Sequence, residues 1–179
     1  MHLFWERGYE PASMADLLEA MGIRSPSLYA AFGDKARLFL QAVDRYQAGP
    51  GRYAVKALAL APTRHAISML LAEAARHFTA PSKPTGCLVV LAGLACDPAA
   101  SPEVAAALAA QRLAFEDAIR ARLARGRDEG DVPPGADLPA LARYVVMTFQ
   151  GLALSARQGR TQRELLQDAE RAMDGWPMG

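Results

Sequence analysis

Cysteine, histidine and aromatic residues are scarce in this chain, and each scarcity removes a class of function. Of 179 residues, two are Cys, three are His and 7% are aromatic. Cys87 and Cys96 stand nine positions apart in what reads as one helix. That is roughly 13 Å along the axis, too far for a disulfide between them. As buried free thiols they behave as small hydrophobes, and no cation close in sequence would activate either one for redox sensing. No Cys/His cluster has metal-ligand spacing, no glycine-rich phosphate loop occurs, and there is no Gly-x-Ser-x-Gly elbow. Glu73 and His77, an i, i+4 pair with His65 upstream, read as a solvated face or a polar fixture in a pocket wall. Neither an enzyme nor a bound cofactor or metal is expected.

Long apolar runs are missing too. The longest, Cys87 to Cys96, is ten residues, too short to span a bilayer, so no membrane partner is expected. No charged-then-apolar segment opens the chain, which makes a cytoplasmic location the expectation. Charge of one sign is also lacking. The net charge is +1, and the first fifty residues carry five basic against six acidic side chains. Bulk charge therefore gives no support to nucleic-acid binding; a pattern has to carry it.

What the chain does have is helical periodicity. Hydrophobic residues make up 51%, with Ala, Leu and Arg abundant, and this composition favours helix over strand. Nine helices are predicted and no strand, giving an all-α fold. The first is short and ends at Gly8. The second opens at Ser13, with Asp16 three positions on as a capping-box partner. Its Met14, Leu17, Leu18 and Met21 share one face. The third runs from about Ser25 to Phe32, with Pro26 at the first helical position. Asp34 caps the fourth, striped by Leu38, Phe39, Ala42, Val43 and Tyr46. Gly49-Pro50-Gly51 is the strongest turn signal and sets a domain boundary, dividing the chain into residues 1–47 and 48–179. Ile67 to Phe78 form the next amphipathic helix. Leu88 to Ala95 is apolar on all sides and reads as a buried central helix. Helices from about Pro102 to Arg125, Leu138 to Gln158 and Gln162 to Met173 complete the chain.

Three short helices joined by tight turns, the third beginning Ser-Pro-Ser, suit a helix-turn-helix. In that arrangement the third helix sets its N-terminal side chains against base edges in the major groove. Ser25, Ser27, Ala30 and Ala31 are small enough for close approach, Tyr29 carries a hydroxyl to phosphate, and Lys35 stands at the start of the fourth helix, where an anion is favoured.

The stretch Met21-Gly22-Ile23-Arg24-Ser25-Pro26-Ser27-Leu28-Tyr29-Ala30-Ala31-Phe32-Gly33-Asp34-Lys35 resembles the tetracycline-repressor (TetR) family signature. So do Gly8-Tyr9-Glu10, Ser13-Met14-Ala15-Asp16-Leu17 and Leu38-Phe39. The resemblance is densest over residues 4–46. It implies a DNA-binding head followed by a larger helical domain that dimerises and holds an inducer. By position it assigns DNA contacts to Ser13, Met14, Arg24, Ser25, Pro26, Ser27, Tyr29 and Lys35. Gly86-Cys87-Leu88-Val89-Val90, Gly151-Leu152 and Arg157-x-Gly159 look like one branch of that family. Family members carry more of the first helix upstream of Phe4-Trp5, so a truncated first helix, or a recorded start downstream of the true one, is the expectation here.

Two functional readings follow. The first is a repressor that binds a palindromic double-stranded operator as a homodimer and is released by a small, mainly apolar inducer. The alternative is a DNA-binding-deficient relative acting through protein or ligand contacts alone. Met69, Phe78, Leu91, Phe115, Tyr144 and Met147 are the expected pocket residues. The helix from Leu138 carries two apolar stripes, and a monomer rarely leaves one exposed. Leu138, Val145, Gly151 and Leu154, with Leu165 and Ala169 of the last helix, are the expected dimer interface.

Overall fold

In a computed structural model, which describes residues 1–177, the chain forms ten α-helices and one 3-10 turn, with no strand among the described residues. They are α1 (His2–Arg7), α2 (Met14–Met21), α3 (Ser25–Phe32), α4 (Lys35–Ala48), a 3-10 turn (Pro50–Arg52), α5 (Tyr53–Leu58), α6 (Thr63–Phe78), α7 (Leu88–Ala95), α8 (Pro102–Asp128), α9 (Leu138–Arg157) and α10 (Gln162–Ala172).

Local chemistry sets the boundaries in the first third. The Ser13 hydroxyl accepts from the Asp16 N–H while the Asp16 carboxylate accepts from the Ser13 N–H, a complete capping box. Gly22 closes α2 in the left-handed conformation, φ 64°, which glycine adopts without steric cost. Asp34 caps α4 by accepting from the Arg37 N–H at 2.8 Å. Phe4, Tyr9, Leu17, Leu28 and Phe39 then meet as the small core of this head. The Phe4 and Tyr9 rings each lie 5.1 Å from that of Phe39.

α6 is the centre of the larger half. Ala66, Ile67, Leu70, Leu71, Ala74, Ala75 and Phe78 are fully buried along it, and α5, α9 and α10 pack around it. α8 lies beside α9. At the far end Arg122 of α8 is buried, donating from Nε to the Leu60 carbonyl at 2.9 Å and pairing with Glu129 at 3.3 Å. Gly126 is obligatory there, because a side-chain carbon would collide with Thr63 and Asp131.

Two expectations need correction. α5 is the tenth helix, absent from the nine read from periodicity. α7 is not buried on all sides: Leu88, Val89, Val90 and Ala92 face the core, but Leu94 is 68% exposed. Its second apolar face belongs to the surface instead of the interior.

Candidate nucleic-acid interface and effector cavity

α3 turns Leu28 inward and leaves Arg24, Pro26, Ser27, Tyr29, Ala30 and Ala31 in solvent, with Ser25 half-buried. The first turn of α3 contains no acidic residue. Pro26 has no N–H and the Ser27 N–H donates to the Arg24 carbonyl. What this helix end offers a phosphate is therefore the positive pole of its dipole, the Arg24 cation and polar side chains with no carboxylate to repel it.

The other expected contacts are placed differently. Ser13 spends its hydroxyl on the α2 cap, and Asp16 pairs with Arg7 at 2.9 Å. The Ser13 hydrogen bonds, aided by Arg7, hold the Asp16 carboxyl below its usual range. Met14 is half-buried against the head core. Lys35 is not a free cation: its Nζ donates to the Glu10 carbonyl at 3.2 Å and lies 4.6 Å from the Tyr9 ring centre. Burial lowers its pKa, against a smaller opposite effect of Glu10. Lys35 thus ties α4 to the α1–α2 turn, while Arg24 and Arg37 remain exposed.

A cavity of about 290 Å³ lies between α4, α5, α7, α8 and α9. Its buried wall is Tyr46, Cys87, Val89, Val90, Val146 and Phe149, with Phe115 and Tyr53 half-buried. Burial pushes the Tyr46 and Tyr53 hydroxyls well above the usual tyrosine range and raises the Cys87 thiol as well. All three are uncharged at neutral pH. Of the residues expected to line a pocket, only Phe115 does so. Phe78 is core, edge-on to Phe149 at 5.2 Å, and Leu91 packs beside Gly86. Met69 lines a separate surface cleft with Glu73 and His77. The Tyr144 hydroxyl donates outward to the Ala172 carbonyl at 2.8 Å, and Met147 is 64% exposed.

Sequence reasoning missed the joint between head and cavity. Trp5 of α1 is buried, stacked on His77 of α6 and edge-on to Tyr46 of α4 at 4.7 Å. Its indole N–H donates to the Gly86 carbonyl at 3.1 Å. The Tyr46 hydroxyl in turn meets the Cys87 sulfur at 3.5 Å. One tyrosine therefore touches both the head's anchor and the cavity floor. His77 is buried in this socket and is no solvated face.

The expected dimer residues divide. Leu138, Val145, Leu165 and Ala169 are buried within the protomer, because α10 packs on α6 and α9. Gly151 and Leu154 are exposed, beside Met147 on α9 and Leu113 on α8, each of the latter pair 64% exposed. The outward stripe of α9 continues onto α8 instead of α10.

An exposed recognition-type helix on a capped three-helix head, joined to a larger helical domain, defines a helix-turn-helix class of DNA-binding protein. Residues 1–42 match the model for bacterial regulatory proteins of the tetR family, and residues 65–173 match the tetracyclin repressor-like C-terminal domain. The chain belongs to the tetR family and is a DNA-binding transcriptional regulator. It is 33% identical over 182 residues to the HTH-type transcriptional repressor ComR of Escherichia coli (strain K12), covering 99% of this chain and 85% of that protein. A solved structure of the TetR family regulator CifR, a cysteine mutant complexed with 26bp double-strand operator DNA, superposes with TM-score 0.94. It is 42% identical, over 98% of this chain and 92% of that one. A TetR-type regulator from Rhodococcus sp. RHA1 matches at TM-score 0.70 and 36% identity, over 100% and 96% of the two chains. No helix among the described residues is long and apolar enough to cross a membrane, and none of their acidic, His and Cys side chains group as a metal site.

Proposed function

We propose that this chain is a homodimeric repressor that occupies a palindromic operator and leaves it when a small molecule fills the α4–α9 cavity. Residues 1–47 are the DNA-binding head and residues 48–179 the effector and pairing domain. The observation that carries the reading is the exposed N-terminal half of α3, where Arg24, Ser27 and Tyr29 face solvent. The repressor and operator-bound relatives support it. In a two-fold dimer the two α3 helices would enter successive major-groove faces about 34 Å apart. The surface of Leu113, Met147, Gly151 and Leu154 supplies the pairing face.

Release requires the ligand to prefer one head arrangement over another. Tyr46 provides the route: its ring forms part of the cavity wall and also packs on Trp5. A ligand that displaces this ring moves the socket holding α1. Coupling of the usual 1–3 kcal/mol would change operator affinity roughly 5- to 150-fold.

The test is a mobility-shift titration of the full chain with the intergenic DNA beside its gene. Specific retention by the native chain, lost in Arg24→Ala and Tyr29→Ala variants of unchanged melting temperature, supports the assignment. Equal retention of native chain and both variants would sink it.

A further inference from the structure

The polar groups of the cavity are sorted by depth. Its floor, Tyr46, Tyr53 and Cys87, is uncharged, and no carboxylate lines any part of it. At the mouth stand Gln47, Gln111, Gln150 and Arg112. Gln47 Nε2 donates to Gln111 Oε1 at 2.6 Å, which leaves the Gln111 amide N–H groups outside that pair. Arg112 reaches from α8 across to α7. Its Nη1 lies 2.9 Å from where a side-chain carbon on Gly93 would sit, so the guanidinium fills the gap the glycine leaves. That gap is one turn beyond Val89 and Val90 of the cavity wall. Arg112 has no ion-pair partner among the described residues. Glu116, one turn along α8, does not line this cavity, although it shares an adjoining surface cleft with Arg112.

An apolar chamber with a donor-only cation at its mouth selects by charge. Guanidinium has N–H donors and no acceptor, and it binds carboxylates through two parallel hydrogen bonds. An ammonium ligand would meet repulsion from Arg112 with no carboxylate in the cavity lining to offset it. We propose that the effector is an amphipathic carboxylate, its apolar body in the Val90–Phe149 chamber and its head group on Arg112 and the neighbouring glutamine amides. This rests on the reading of the cavity as the effector site. It also refines the sequence-based expectation of a small, mainly apolar inducer, which weighed the wall residues and had no view of the mouth.

The experiment titrates the full chain by calorimetry with octanoate, 1-octanol and octylamine, three probes of one chain length and different heads. Octanoate is expected to bind at least roughly tenfold tighter than 1-octanol, the size of one charge-assisted contact, and octylamine more weakly than either. Arg112→Gln should bring octanoate down to the 1-octanol level while leaving 1-octanol unchanged, and Arg112→Lys should restore part of the difference. Ala54→Trp, which fills the cavity from α5, should abolish both. Equal octanoate and octanol affinities, both lost in Ala54→Trp, would overturn the carboxylate assignment and leave the cavity standing. Octanoate binding untouched by Ala54→Trp, or no binding of any probe, would overturn the effector-cavity reading itself.

Discussion

Trp5 and His77 lie with their rings nearly parallel, 19° apart in tilt and 5.5 Å between centroids, although one lies in the chain's first helix and the other near the end of its sixth. The stack seats the N-terminal helical head on the larger C-terminal half. It carries no net charge, because burial, with Lys83 adding repulsion, lowers the His77 pKa to about 4. Lys83 Nζ sits 3.2 Å from His77 Nδ1, so the neutral ring accepts there.

Removing the indole tests the joint. Trp5→Ala should destabilise the chain by about 3–5 kcal/mol, the usual cost of emptying a large aromatic site. Trp5→Phe keeps most of the packing and loses the bond to Gly86, for about 1 kcal/mol. Urea unfolding midpoints check both values. A Trp5→Phe chain with native stability but altered operator affinity would separate coupling from support.

The His77 shift fixes the sign of one pH effect. Its folded pKa lies below the ordinary 6.5, so the neutral ring favours the fold, and that contribution is complete above pH 6.5. It declines as pH falls from 6.5 towards 4, as the unfolded chain takes up the proton first. His77→Phe should flatten that part of the stability curve, read as melting temperature at stepped pH. An unchanged slope would mean that carboxylates alone govern acid unfolding.

Lys35 and Arg24 should separate by readout. Lys35→Met removes the ammonium that ties α4 to Glu10, so it should lower the melting temperature and weaken binding to all DNA sequences alike. Arg24→Ala touches an exposed side chain; it should leave melting unchanged and alter preference between operator variants. A Lys35→Met chain of native melting temperature would show that the Glu10 contact contributes nothing.

Gly151→Arg and Met147→Glu both place charge on the outward face of α9. Each should yield a helical protomer that runs as a monomer by light scattering and loses tight operator binding. Gly151 has open space around it within the protomer, so the substitution does not strain the fold. A charged variant that still pairs would move the interface elsewhere.

The head was readable because its signals are local: Ser13 with Asp16, Pro26 at the start of α3, Asp34 before α4. Each acts within four residues and leaves a composition mark. The cavity was not, since nothing in a periodic pattern tells which apolar side chain faces a void and which faces a neighbour. Phe78 and Phe115 look alike in sequence, yet the first is solid core and the second a wall. α5 escaped for a different reason. Its six residues carry no cap bond and follow a Gly-Pro-Gly turn, but they supply Tyr53, Ala54, Val55 and Leu58 to the chamber. Trp5 reads as one buried aromatic of a short helix, and only the fold brings Gly86 to it across 81 positions.

The chain contains two tryptophans, Trp5 and Trp176, both nearly buried. With Trp176 replaced by Phe, all tryptophan emission would come from the seam between the N-terminal head and the larger C-terminal half. The neutral imidazole at 5.5 Å leaves that emission bright at pH 7, and the protonated ring formed in acid would dim it. Tyr46 lines the chamber and packs on the indole edge, so a ligand that moved its ring is expected to change that emission without any added dye. The regulator thus contains its own optical gauge of the seam between its two halves.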